Sequence, residues 1–295
     1  MRLGRRGLYI VLTFEALAFG MFGALMLDVA AHRRDDPYVI NQFGYRGPAR
    51  ASKGRGERRV VIVGGSAAFG AGTPWSSTIG PELVKAINRT SGAPDDMPFA
   101  DVQNLAEPLA GADSYAQTLT AYDYLEPDLV VIYDGYDPVG GGLHGRRRSL
   151  LFRMTGYLPI IVGPGRHLPD VEHGIAPALA DPLTQADDGT CAGAFRGYCA
   201  AMADTVRFAL AAGRSVIVVS PPQVTARHRL QQESLAAELA RLFDGVARFR
   251  YLNLGQAVDL HDPAQSPDGV HTTPSANRVI AQALAGPVVD LLARK

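Results

Sequence analysis

Three side chains in this sequence have the types and the setting for covalent catalysis: Ser66, Asp268 and His271. A serine hydroxyl is a poor nucleophile until a base stands within hydrogen-bond reach. A neutral histidine is such a base. A carboxylate on its other ring nitrogen fixes the tautomer and stabilises the imidazolium that forms. Asp268 and His271 are three residues apart in Ser266-Pro267-Asp268-Gly269-Val270-His271-Thr272-Thr273-Pro274, a turn leading into a helical stretch. That spacing lets the carboxylate reach Nδ1 and leaves Nε2 for the serine. Taken alone, Asp-x-x-His also reads as an ordinary capping turn at a helix start; it gains meaning from the serine.

The serine needs an element that holds it. Val60-Val61-Ile62-Val63 is a continuous β-branched run of the kind buried on both faces of a sheet. Gly64 and Gly65 end it, Ser66 follows at once, and helical spacing (Ile79, Leu83, Val84, Ile87) begins near Thr78. Ser66 is therefore expected at the carboxyl end of a strand, where open parallel sheets bind ligands. Further strands are predicted at Ala100–Leu105, Leu129–Tyr133, Ser215–Ser220 and Arg250–Leu254, and helices at about 78–89, 114–125, 193–212, 228–243 and 274–293. This alternation predicts a parallel sheet covered by helices on both faces. Between about Val139 and Cys191 it lapses. That insert holds Gly140-Gly141-Gly142, the basic run Arg146-Arg147-Arg148 and several prolines. It follows the third strand, on the edge expected to carry the site.

The chain begins Met1-Arg2-Leu3-Gly4-Arg5-Arg6, and Leu8 to Ala31 carries only Glu15 and Asp28 as charges. At about 1.5 Å per residue this stretch spans a bilayer. The arginines before it place the N-terminus in the cytoplasm, against which Arg33 and Arg34 count on the far side. A buried core helix and a cleaved signal peptide ending at Val29-Ala30-Ala31 are the alternatives to an uncleaved anchor. We divide the chain into an anchor (1–31), a linker (32–58) and a catalytic domain (59–295) with the insert at about 139–191. Within the linker, Asn41-Gln42-Phe43-Gly44-Tyr45-Arg46-Gly47-Pro48 is exceptional, since its two aromatics call for a surface to dock on.

Composition excludes several classes. Lys plus Arg and Asp plus Glu both number 29 in 295 residues, so no basic field points to nucleic acid. The histidines (His32, His144, His167, His173, His228, His261, His271) show no i,i+4 pair and no zinc-type spacing. Cys191 and Cys199 suit a bridge if the domain lies in an oxidising compartment. A helix running through 193–199 would set their Cα atoms too far apart. Both alternatives stand at this point.

Two more stretches follow predicted strands: Asn104-Leu105-Ala106-Glu107-Pro108-Leu109-Ala110-Gly111-Ala112-Asp113-Ser114 and Tyr133-Asp134-Gly135-Tyr136-Asp137-Pro138. With them, residues 59–293 resemble the SGNH hydrolases, the GDSL-type esterases and lipases. Gly64-Gly65-Ser66 is similar to the Gly-Asp-Ser nucleophile motif, Gly111 to the glycine whose amide serves the oxyanion hole, and Asp268-Gly269-Val270-His271 to the closing Asp-x-x-His. Asn41–Pro48 looks like the stretch preceding the domain in membrane-anchored members. The resemblance implies a three-layer α/β/α sandwich around a five-stranded parallel sheet, and ester hydrolysis through a serine acyl-enzyme without metal or organic cofactor. One position departs: Gly135-Tyr136-Asp137 stands where the family has Gly-x-Asn, and an ionised Asp137 cannot donate to an oxyanion as an amide does.

The expectation is an esterase held on the outer face of the cytoplasmic membrane, acting on acyl esters, acetyl foremost, of a cell-envelope glycan or lipid. A sugar O-acyltransferase using the same triad is the second reading. A non-catalytic envelope assembly protein, pairing through Glu15 and the insert, is the third.

Overall fold

The computed structural model describes residues 5–32, 40–93, 99–108, 110–134, 150–157 and 190–294. Its centre is a parallel five-stranded sheet: β1 (Arg59–Gly64), β2 (Asp101–Asn104), β3 (Leu129–Tyr133), β4 (Ser215–Ser220) and β5 (Phe249–Asn253), in the order β2-β1-β3-β4-β5. Every residue of β1, β3 and β4 is buried. Their apolar runs are continuous because both faces are covered.

Alternate side chains of each strand feed two cores. Val60 and Ile62 point into a core with α3 (Ile79–Ser91) and α8 (Pro274–Ala293). Val61 and Val63 point into a second core with α4 (Tyr115–Ala121), α6 (Arg196–Ala211) and α7 (Ala226–Phe243). Each fully buried Val or Ile side chain contributes roughly 1.5–3 kcal/mol. The result is the three-layer α/β/α arrangement. Among the described residues the remaining helices are α1 (Arg5–His32), the one-turn α2 (Ser66–Phe69) and α5 (Leu150–Thr155).

Two elements differ from the sequence expectation, for local reasons. The helix predicted over 114–125 breaks at Tyr122 into a short 3-10 turn, Asp123–Leu125, because Glu126 adopts a left-handed conformation (φ 49°) that ends it. The helix predicted from 193 starts at Arg196. The amides of Gly193 and Phe195 instead turn back to the Thr190 carbonyl. That turn sets Cys191 and Cys199 5.6 Å apart at Cα, and they form a disulfide.

Within α1, Tyr9–Ala30 has a mean hydropathy of 2.0 and is long and apolar enough to cross a membrane, with Phe14, Phe19, Met21 and Phe22 exposed. Near its end Asp28 is buried and accepts a hydrogen bond from the Tyr157 hydroxyl. Of the insert at 139–191, only 150–157 and 190–191 fall within the described residues.

Candidate active site

β1 delivers Ser66. Gly64 lies opposite Tyr133 in the β1–β3 register, and a Cβ on Gly64 would collide with the Tyr133 carbonyl oxygen. Only glycine lets the chain leave the strand this close to its neighbour. Gly65 has extended backbone, and Ser66 begins α2. The Ser66 carbonyl accepts from the amides of Gly70 (3.0 Å) and Ala71 (3.2 Å), which closes the turn.

The His271 loop is fixed by its own carboxylate. Asp268 Oδ1 accepts from the amides of Val270 (2.9 Å) and His271 (2.7 Å), and Oδ2 meets His271 Nδ1 at 2.5 Å. Ser266 Oγ donates to the His271 carbonyl at 2.7 Å. Burial raises the Asp268 carboxyl, but the His271 ring and the two amides outweigh it and bring it down to about 2. Asp268 is therefore ionised and only accepts. Nδ1 then carries the proton, and Nε2 is the accepting nitrogen. Nε2 stands 3.1 Å from Ser66 Oγ. His271 is buried and Ser66 has no exposed surface.

Chemically, the hydroxyl proton of Ser66 has an acceptor in place, and that acceptor has a counter-charge behind it. Loss of the proton makes Oγ a nucleophile; the imidazolium is stabilised by Asp268.

Of the residues singled out from the sequence, Ser66, Asp268 and His271 are brought together. Gly111 lies at the same sheet edge, on the loop after β2. That loop is tied to the serine turn: the Glu107 amide donates to the Gly64 carbonyl at 3.0 Å. The Gly111 carbonyl accepts from the Ser114 amide (2.9 Å) and hydroxyl (2.7 Å). Asp137 lies outside the described residues. Among the described residues no group of three or more His, Cys, Asp or Glu gathers to hold a metal ion.

Sequence reasoning missed the side chains that brace this site. Asn104, at the end of β2, donates to the Ala68 carbonyl at 2.8 Å. Thr73 Oγ1 donates to the Thr272 carbonyl at 3.0 Å. Asn277, fully buried on α8, accepts from Thr272 Oγ1 and donates to the Ser77 carbonyl. Asn104 carried a signal, a polar residue closing a buried strand. Thr73 carried none.

No known family model matches the chain, and no curated protein matches it. Solved structures with a similar arrangement include a psychrotrophic esterase from Pseudoalteromonas (11% identity, 80% of this chain and 100% of that one, TM-score 0.48). A family 3 carbohydrate esterase from Clostridium thermocellum is another (12% identity, 81% and 98%, TM-score 0.46). A third is a member of the lipolytic protein G-D-S-L family from Veillonella parvula (8% identity, 78% and 97%, TM-score 0.44).

Proposed function

We propose that this chain is a serine ester hydrolase, with Ser66 as nucleophile, His271 as base and Asp268 as the group that orients His271. The observation that carries the reading is the unbroken hydrogen-bonded line from Asp268 through His271 to Ser66. On this reading Ser66 Oγ attacks the ester carbonyl while Nε2 takes its proton. The C–O bond to the alcohol breaks, Nε2 returns the proton to the departing alkoxide, and an acyl-enzyme remains. Water, deprotonated by the same nitrogen, releases the acid and restores Ser66. The route needs no cofactor. The Gly111 amide is proposed as an oxyanion donor, and the motif resemblance assigns a second donor position to residue 137.

The substrate proposed is an acyl ester, acetyl foremost, of an envelope glycan or lipid, met on the outer side of the cytoplasmic membrane. Support comes from the apolar α1, from the arginines ahead of it, and from a disulfide of the kind that persists in oxidising compartments. A reporter fused after Lys295 that works only inside the cytoplasm would overturn this orientation.

The test of the chemistry uses the full chain in detergent. A chromogenic acetyl ester should be hydrolysed, and a fluorophosphonate should label the wild type but not Ser66→Ala. Equal turnover by wild type and Ser66→Ala would overturn the reading. A second reading is acyl transfer from the same acyl-enzyme to a sugar hydroxyl in place of water. Diversion of the acyl group to an added glycan acceptor would select it.

A further inference from the structure

Arg46 belongs to the stretch between α1 and the sheet, yet it is fully buried. Among the described residues its guanidinium donates to the carbonyls of Phe69 at 2.6 Å, Gly70 at 2.7 Å and Thr73 at 2.5 Å. It also lies 4.7 Å over the Phe69 ring. These carbonyls belong to the turn that starts at Ser66, and two of them directly end α2.

The stretch that delivers Arg46 is itself held. The Arg46 amide donates to the Asn104 carbonyl at 3.2 Å, making an antiparallel bridge to the last residue of β2. Asn41 Nδ2 donates to the Gly47 carbonyl at 2.9 Å. Gly47 has φ 109° and lies against Trp75, where a Cβ would fall into the indole. The guanidinium is thus presented from a preformed loop.

Thr73 extends the brace. Its carbonyl accepts from Arg46, and its hydroxyl donates to the carbonyl of Thr272, next to His271. One guanidinium therefore holds a platform with Ser66 at one end and the His271 loop at the other. We infer that Arg46 is a positioning residue that sets the Ser66 Oγ to His271 Nε2 separation. The inference rests on the serine hydrolase reading given above. A planar fork reaches several carbonyls at once, which an ammonium does not reproduce. A displacement of about 1 Å between reacting groups costs on the order of 10²-fold in rate.

The experiment compares wild type, Arg46→Met, Arg46→Lys and Thr73→Val as full chains in detergent. Thr73→Val keeps all three Arg46 bonds and removes only the link to Thr272. Turnover of the acetyl ester, KM, thermal midpoint and the nitrogen-15 resonance of His271 Nε2 are recorded for each. The positioning role expects Arg46→Met to lose on the order of 10²-fold in kcat with KM within about twofold. Arg46→Lys should recover part of that loss, and Thr73→Val should lose roughly tenfold. The Nε2 resonance should move in Arg46→Met as it does in Ser66→Ala. A folded Arg46→Met with wild-type kcat and an unmoved resonance overturns the role. If Arg46→Met does not fold, wild-type kcat and resonance in both Arg46→Lys and Thr73→Val overturn it. An inactive wild type overturns the hydrolase reading alone; the resonance then decides the positioning role.

Discussion

Thr272 Oγ1 donates to Asn277 Oδ1 at 2.6 Å, so the residue after His271 is fastened to the first turns of α8. Asn277 Nδ2 passes the connection on to the Ser77 carbonyl at 3.0 Å, ahead of α3. Thr272 and Asn277 are both buried. Asn277→Leu should therefore strand one hydroxyl and one carbonyl. We expect a stability loss of about 2–4 kcal/mol, read by urea denaturation. A loss below about 0.5 kcal/mol would mean that the two groups find other partners.

On the proposed hydrolase reading, Ser66 and His271 act as one unit. Ser66→Ala and His271→Ala should each lower kcat by on the order of 10⁴–10⁶, and the double variant by little more than either alone. Multiplying losses would show that His271 is not the base for Ser66.

Asp268 carries a pH signature. Its folded carboxyl sits at about 2, below an ordinary value near 3.8. The unfolded chain therefore takes up this proton first as pH falls. The stabilisation is present above about pH 4 and drains away as pH drops through the window down to about 2. Asp268→Asn should be less stable than wild type at neutral pH and should lose less stability across that window. Thermal midpoints recorded from pH 5 to pH 2 check this; parallel curves would contradict it. The carboxylate is half-exposed, so the difference is a modest one.

The Cys191–Cys199 bridge fixes the turn that precedes α6. Replacing both with alanine should cost about 2–3 kcal/mol, as expected for a short closed loop. Reductant should lower the wild-type midpoint by a similar amount and leave the double variant unmoved. A wild type indifferent to reductant would refute the contribution.

Asp137 stands at the asparagine position of the motif that Gly135-Tyr136-Asp137 resembles. Asp137→Asn supplies an amide donor at every pH, and should raise turnover of a simple acetyl ester at neutral pH by roughly tenfold or more. Loss of activity in a folded Asp137→Asn would give the carboxylate a positive role instead.

Some of this molecule was legible from residue order. The sheet was, because β-branched runs such as Val60–Val63 and Ser215–Ser220 have no other comfortable home than a strand covered on both faces. The grouping of Ser66 with Asp268 and His271 was also legible, because the three residue types share one chemistry and each sits where an element ends. The braces were not. Arg46 and Asn104 act on backbone carbonyls, which every residue carries, so nothing in the sequence of the serine turn marks their targets. Within the linker, the aromatics of 41–48 called for a docking surface and Tyr45 is wholly buried, but nothing marked Arg46 beside it for the interior. The disulfide depended on where α6 begins, and the three residues 193–195 decided it.

Ser66 has no exposed surface. On the proposed hydrolase reading, a reagent reaches the Ser66 hydroxyl only after the protein parts around it, and that opening becomes the clock of the first chemical step. Inactivation by a small phosphonate should then level off as its concentration rises, at a ceiling given by how often the site opens. Raising solvent viscosity should lower that ceiling, and strengthening the electrophile should not lift it.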